Sequence, residues 1–201
     1  DASRPIKASE LKVAEESGIE FIEIPVAYDG LSIVVNKRNY WVDQLTVDEL
    51  KEIFLADKAA KRWSDVRAGW PDIQIHIFAP GTDSGTFDYF KEVVAGKSGE
   101  IRSDMSVSED DNVLVNGVAG EKGAIGFFGY AYFIENKDKL RAVPIDGGAG
   151  PIAPSEKTIA DGTYAPFSRP LFIYVNAKSA DKPEVKSFIE YYLEHGATLA
   201  A

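Results

Sequence analysis

The chain has 201 residues, 45% of them hydrophobic, with 11 Phe and 9 Tyr, enough to bury the core of one domain or of two small ones. Its formal charge of -10 and its lack of cysteine exclude a general electrostatic binder of nucleic acid or anionic membrane, a disulfide framework, and thiolate or Cys-based metal chemistry. No apolar run approaches the roughly 18 residues needed to span a membrane as a helix.

In chain order, residues 9–16 predict a short helix that Gly18 ends, and residues 19–24, alternating apolar and acidic, predict a half-buried strand. After Pro25, residues 31–35 are continuously apolar and β-branched, as in a strand covered on both faces. Thr46 and Glu49 form a capping box that opens a helix over 47–55. Trp63, Trp70 and Pro71 lead into an alternating strand over 73–78, and a helix follows over 87–94. A polar loop over 96–102 precedes the acid-rich helix start Ser108-Glu109-Asp110-Asp111, with Val113, Leu114, Val115 and Val118 at helical spacing. Residues 123–128 predict a buried strand, 130–135 a helical turn and 141–145 a short strand. Gly147, Gly148 and Gly150 mark 146–154 as a candidate linker. A short helix over 155–160, a buried strand over 171–175 and an amphipathic helix over 183–194 complete the pattern. Strands alternate with helices throughout, which predicts an α/β architecture with a largely parallel sheet.

The turn Pro80-Gly81-Thr82-Asp83-Ser84-Gly85-Thr86 stands between strand and helix. Pro80 and Gly81 stop the strand, Asp83 or Ser84 caps the helix, and Gly85 lets another group approach the backbone. Free N–H groups, the Ser84 and Thr86 hydroxyls and the positive end of the helix dipole together suit an oxyanion. A plain capped helix has the same outline, but one cap needs one hydroxyl, and Thr82, Ser84 and Thr86 place three around a single turn.

Enzyme chemistry fares worse. Gly81 stands three residues before Ser84 where a nucleophile elbow has two. His76 lies mid-strand with Ile75 and Ile77 on the opposite face, and His195 has no triad partner in the pattern. Glu109, Asp110 and Asp111 read as dipole-compensating acids at a helix start, since adjacent helical carboxylates diverge and no calcium-loop spacing is present. A phosphate-loop NTPase needs Gly-Lys-Ser/Thr, and Lys91 comes too late. The residues therefore call for no catalytic group, metal or cofactor.

Five stretches in order carry a family resemblance: Ala2-Ser3-Arg4-Pro5-Ile6, Pro25-Val26-Ala27-Tyr28-Asp29-Gly30-Leu31, the run from Pro80 to Phe90, Ser108-Glu109-Asp110-Asp111-Asn112-Val113-Leu114-Val115, and Ile125-Gly126-Phe127-Phe128-Gly129-Tyr130-Ala131-Tyr132. Together they resemble the PstS-like phosphate-binding proteins of bacterial phosphate ABC transporters. The resemblance implies a type II periplasmic-binding-protein fold, two α/β lobes joined by crossing hinge strands with the anion between them. Residues 1–72 with 146–201 would form one lobe and 73–145 the other. It puts Ser84, Gly85 and Thr86 on the phosphate, with Ser3 supplying a further ligand group. Members also carry roughly one more βαβ unit before the Ala-Ser-Arg-Pro segment, so the first lobe is expected to be incomplete and its exposed sheet edge to favour a homodimer.

Many members have an Arg shortly before the Ser-Gly-Thr turn. Ala79 and Pro80 offer no charge there, and Arg4 is the expected substitute, since a guanidinium pairs with two phosphate oxygens. Phosphate near neutral pH retains a proton, so a carboxylate acceptor would favour it over sulfate. Asp83 is the nearest candidate, with Asp29 and Asp111 as alternatives. The implied partners are inorganic phosphate and the transporter's membrane subunits, the implied location periplasmic or extracellular, free or lipid-anchored. A receptor for sulfate or molybdate and a phosphoester hydrolase on the same fold are the competing readings.

Overall fold

The computed structural model describes residues 5–96 and 98–199. Local signals set most element ends. Helix α1 (Ala8–Glu16) begins where the Glu10 carboxylate accepts the Lys7 N–H at 2.8 Å, and it gives out at Gly18, whose φ is +67°. Strand β1 (Phe21–Asn36) runs through both strands read from the sequence, Pro25 included. Pro25 is exposed, and a strand keeps a proline where no ladder bond needs its N–H. Strand β2 (Leu45–Thr46) passes into α2 (Val47–Phe54) through the expected capping box: Thr46 Oγ1 accepts the Glu49 N–H at 3.1 Å and Glu49 Oε2 accepts the Thr46 N–H at 2.9 Å. Then come α3 (Trp63–Val66), β3 (His76–Pro80), α4 (Gly85–Val94), β4 (Ser106–Ser108), α5 (Asp111–Gly120), β5 (Ala124–Gly129) and α6 (Tyr130–Glu135). After them lie β6 (Leu140–Ala142), β7 (Ile145–Asp146), β8 (Pro151–Ile152), α7 (Glu156–Ala160), β9 (Ser168–Asn176), α8 (Ala177–Ala180) and α9 (Pro183–Leu199).

The chain divides into two compact units at 28/29 and 168/169, and both passages fall within strands, β1 and β9. The smaller unit holds α1, the first half of β1, most of β9, α8 and α9. Polar ties fasten it: the Tyr174 hydroxyl donates to Glu23 Oε2 at 2.6 Å and accepts the Ile6 N–H at 2.8 Å, while Lys178 Nζ donates to the Gly18 carbonyl at 2.7 Å.

In the larger unit the second half of β1 is buried, as its apolar run foretold. The main sheet has the order β4-β3-β5-β1-β6, and β9 also pairs with β1. It is a mixed sheet, a correction to the expected largely parallel one: β3 runs parallel to β4 and β5, but β1 is antiparallel to β5 and β6. Helical crossovers keep β3, β4 and β5 parallel, whereas alternation of strand and helix does not fix the direction of β1. The supposed linker is a turn between β7 and β8 in a small second sheet, where Asp146 Oδ1 accepts the N–H groups of Gly148 and Gly150 at 2.7 and 3.0 Å.

The core is aromatic. Phe90 of α4 stacks on Phe127 of β5 with centroids 3.9 Å apart, and Phe54 of α2 meets Phe90 edge-on at 4.6 Å. The same buried cluster takes in Ile33, Trp41, Trp63, Ile77, Ile145, Tyr164 and Phe167. This cluster draws on residues from 29–72, 73–145 and 146–168 alike. The buried Arg102 guanidinium ties in the connecting loops by donating to the carbonyls of Ile53 and Ala60 at 3.0 and 2.8 Å. It also grips Asp104, which Arg102 and then Lys61 hold well below the usual carboxylate range.

Phe90→Ala removes the centre of this ring stack and should destabilise the chain by about 3–5 kcal/mol, read as a lower urea midpoint at an unchanged denaturant slope. A loss within about 1 kcal/mol would show that the surrounding rings close the cavity.

Candidate functional site

Parallel pairing of β3 with β4 sets Pro80 opposite Ser108, so two strands end side by side and each turns into a helix. On the first, Ser84 is the N-cap of α4: its Oγ accepts the Thr86 N–H at 3.2 Å, and its own N–H donates to the Gly81 carbonyl at 3.0 Å. On the second, Asp110 caps α5 by accepting the Asn112 N–H at 2.9 Å, and Ser108 Oγ accepts the Asp110 N–H at 3.0 Å. Between them lies an open cavity of about 270 Å³, lined by Ser84, Thr86, Ser108, Glu109 and Asp111, with Asp29 from β1 and Tyr132 from α6 on its other walls. It sits at the carboxyl ends of β3, β4 and β5, where α/β sheets place their ligands.

Two glycines shape the wall. The Glu109 carboxylate lies against Gly81, where a Cβ would push that side-chain end aside. A Cβ at Gly85 would meet nothing within 4 Å, and the first turn of α4 therefore stands open.

Of the expected ligand groups, Ser84 and Thr86 line the cavity, with Gly85 between them at the helix start. Asp83 is exposed and is not on the lining, whereas both alternatives, Asp29 and Asp111, are. Ser3 and Arg4 lie outside the described residues. Ser108, Glu109 and Tyr132 were not singled out as site residues. The signal for Ser108 was the repeat of the first motif, a strand end followed by a small polar residue and a helix start.

Among the described residues the lining includes three carboxylates and no Lys, Arg or His. Burial pushes the Asp111 carboxyl up; a hydrogen bond from Tyr132 opposes this, and the neighbouring charges of Asp110 and Glu109 add to the rise. His76 lies at the opposite end of β3, paired with Glu121, and His195 packs on the Tyr191 ring with centroids 4.4 Å apart. Among the described residues no group of acids and histidines is arranged to hold a metal ion.

The raised carboxyl gives a sign to pH dependence. A carboxyl raised on folding favours the fold below its unfolded value, and that contribution is lost as pH rises through the folded value. Asp111→Asn does not ionise, so the melting temperature of the variant relative to the parent should be higher at pH 7 than at pH 3.5. Parallel melts check this, and a difference independent of pH would mean that Asp111 ionises as freely as in the unfolded chain.

A family model described as the PBP superfamily domain matches residues 2–195. Protein SphX of Synechocystis sp. is 43% identical over 203 residues, covering all of this chain and 60% of SphX. The phosphate-binding protein PstS of Staphylococcus epidermidis is 43% identical over 196 residues, 96% of this chain and 58% of PstS. The chain thus spans about 60% of the length of the curated relatives it matches. Among solved structures, a possible phosphate binding protein from Planctomyces limnophilus superposes with a TM-score of 0.86 at 47% identity, over 95% of this chain and 68% of that one. An ABC-type phosphate transport receptor from Vibrio cholerae gives 0.77 at 25% identity, over 98% and 74%. With the α/β architecture and the double strand–turn–helix wall already described, these matches settle the family: the chain belongs to the PBP superfamily, in its type II fold, as a homologue of PstS and SphX.

Proposed function

We propose that this chain carries part of the grip of a receptor that binds inorganic phosphate outside the cytoplasmic membrane and hands it to the membrane subunits of an ABC transporter. The observation that carries the reading is the open first turn of α4, with the Ser84 and Thr86 hydroxyls on the cavity wall, in a chain 43% identical to a protein named phosphate-binding. Helix-start N–H groups and hydroxyls donate to phosphate oxygens, and the helix dipole favours the anion. A net charge of -10 repels phosphate at long range, so attraction must come from donors at contact distance. The chemistry is capture and release, with no bond made or broken. Among the described residues no helix is long and apolar enough to cross a membrane.

Selectivity follows from the acidic wall. A carboxylate acceptor bonds to the proton that phosphate keeps near neutral pH, while sulfate meets it with bare negative oxygens. We assign the acceptor role to Asp111, which lines the cavity and is half-buried; Asp83, though nearest in sequence to the Ser-Gly-Thr turn, stands exposed away from the lining.

Calorimetric titration of a version extended to the full length of its relatives should give heat with phosphate and much less with sulfate, and the chain alone should give less heat with phosphate than that version. Sulfate binding equal to phosphate, or turnover of a phosphoester, would overturn the reading. Thr86→Val should weaken phosphate binding about 10- to 150-fold, as expected for one hydrogen bond to a charged group, without lowering the melting temperature. Ser84→Ala should weaken binding and also cost about 1 kcal/mol of stability, because Ser84 is the cap. Asp111→Asn should narrow the preference for phosphate over sulfate, and Asp83→Asn should leave it unchanged.

A further inference from the structure

Asp111 is not the only acid beside the open turn of α4. Glu109 belongs to the loop between β4 and α5 and is an exposed residue. Its carboxylate nevertheless lies against Gly81, in the turn that the Ser84 N–H closes onto the Gly81 carbonyl. Glu109 also lines the cavity together with Ser84 and Thr86, so its charge stands next to the hydroxyls and N–H groups that suit an anion. The groups around it bring no compensating charge. Asp110 and Asp111 follow it in the chain, Asp29 comes from β1, Tyr132 from α6, and the α4 turn contributes Ser84 and Thr86. Among the described residues no Lys, Arg or His joins them on the lining.

A phosphate held at this turn meets two carboxylates, Asp111 and Glu109. The doubly charged form carries one proton, which satisfies one of them and leaves the other facing a bare anionic oxygen. The singly charged form carries two protons, and each carboxylate then accepts from a hydroxyl in a charge-assisted hydrogen bond. We propose that Glu109 is a second proton acceptor, and that the cavity takes phosphate in its singly charged, twice-protonated form in preference to the doubly charged one. Arsenate, with the same two hydroxyls, belongs to the same ligand class. The proposal rests on the phosphate-receptor reading and adds to it the protonation state of the ligand. With Asp111 as the sole acceptor the doubly charged form would be held at least as well, because a helix start favours the higher negative charge.

Phosphate is titrated calorimetrically into the version extended to the full length of its relatives, from about pH 5.5 to about pH 8.5. Above the second ionisation of phosphate the affinity should fall about tenfold for each pH unit, with about one proton taken up per phosphate when the heats are compared in buffers of different ionisation enthalpy. Glu109→Gln keeps the size and an acceptor oxygen but no charge. It should abolish both effects and bind phosphate more tightly than the parent at the alkaline end. Asp110→Asn controls for charge alone: it removes a neighbouring charge that is not on the described lining, retains a good helix cap, and should leave the slope in place. Phosphite, singly charged at the acid end of the range but with one hydroxyl, should bind the unaltered protein about 10- to 150-fold more weakly than phosphate there, the loss of one hydrogen bond to a charged group. That comparison needs no variant to fold. A phosphate affinity that stays level or rises above the second ionisation would overturn the proposal and leave the receptor reading standing. So would the same slope in Glu109→Gln as in the parent, a slope lost in Asp110→Asn, or phosphite bound as tightly as phosphate. No heat with phosphate at any pH would overturn the receptor reading itself, and the proposal with it.

Discussion

The parallel register of β3 and β4, Pro80 beside Ser108, is the constraint on which the site depends. Strands that end level must leave the sheet together, and each here turns at once into a helix whose first N–H groups lack intrahelical acceptors. Ser84 and Asp110 each satisfy one such group from within the chain. In α5 the Val113 N–H is taken as well, by the Asp110 carbonyl at 3.0 Å, which leaves α4 the more open start. A one-residue slip of β4 would carry Asp111 away from the turn and rotate Ser108 to the other face of the sheet. The aromatic stack of Phe90 on Phe127 fixes α4 against β5 and so holds the position of its first turn.

Magnitudes decide what this wall can hold. A helix start contributes about 0.3–2 kcal/mol toward an anion, whereas an ionised carboxylate about 4 Å from an anionic oxygen costs about 4 kcal/mol at an effective dielectric constant of about 20. With Asp29, Glu109 and Asp111 among the described lining residues, a helix start alone does not outweigh even one ionised carboxylate at that distance. The balance changes when a proton lies between carboxylate and ligand, because repulsion then becomes a charge-assisted hydrogen bond. The acids read in the sequence as mere dipole compensation can therefore serve as a filter, since the same helix start that favours them brings them to the cavity.

What the sequence disclosed depended on how local the determining interaction was. The capping box of Thr46 and Glu49, the stop at Gly18 and the Ser84 turn each span a few residues, and each formed as read. The buried half of β1 announced itself by its apolar run. Sheet direction was not legible, because whether β1 meets β5 parallel or antiparallel is set by long-range packing. Strand β4 escaped notice because Ser106–Ser108 is three residues long and has no buried member. The glycines after Asp146 suggested a linker, but the Asp146 carboxylate organises them into a turn. Asp29 and Asp111 are 82 positions apart, and only the sheet order brings them to one cavity, so spacing could not rank them above Asp83.

The contrast between the two units is itself an energetic argument. Ordering a residue costs about 1–2 kcal/mol of backbone entropy, and the larger unit offsets this with two continuous buried clusters. The smaller unit has polar ties instead, Tyr174 to Glu23 and Lys178 to the Gly18 carbonyl, each worth about 1.5–3 kcal/mol at most. Such ties set geometry but cannot hold several dozen residues. Its apolar side chains are sufficient in number, but Phe188, Tyr191 and Leu193 face outward. Burying a side chain of that size contributes about 1.5–3 kcal/mol, so each one that faces outward withholds as much as either polar tie supplies. The larger unit thus completes a core of its own, and the cavity between the first turns of α4 and α5 stands on it.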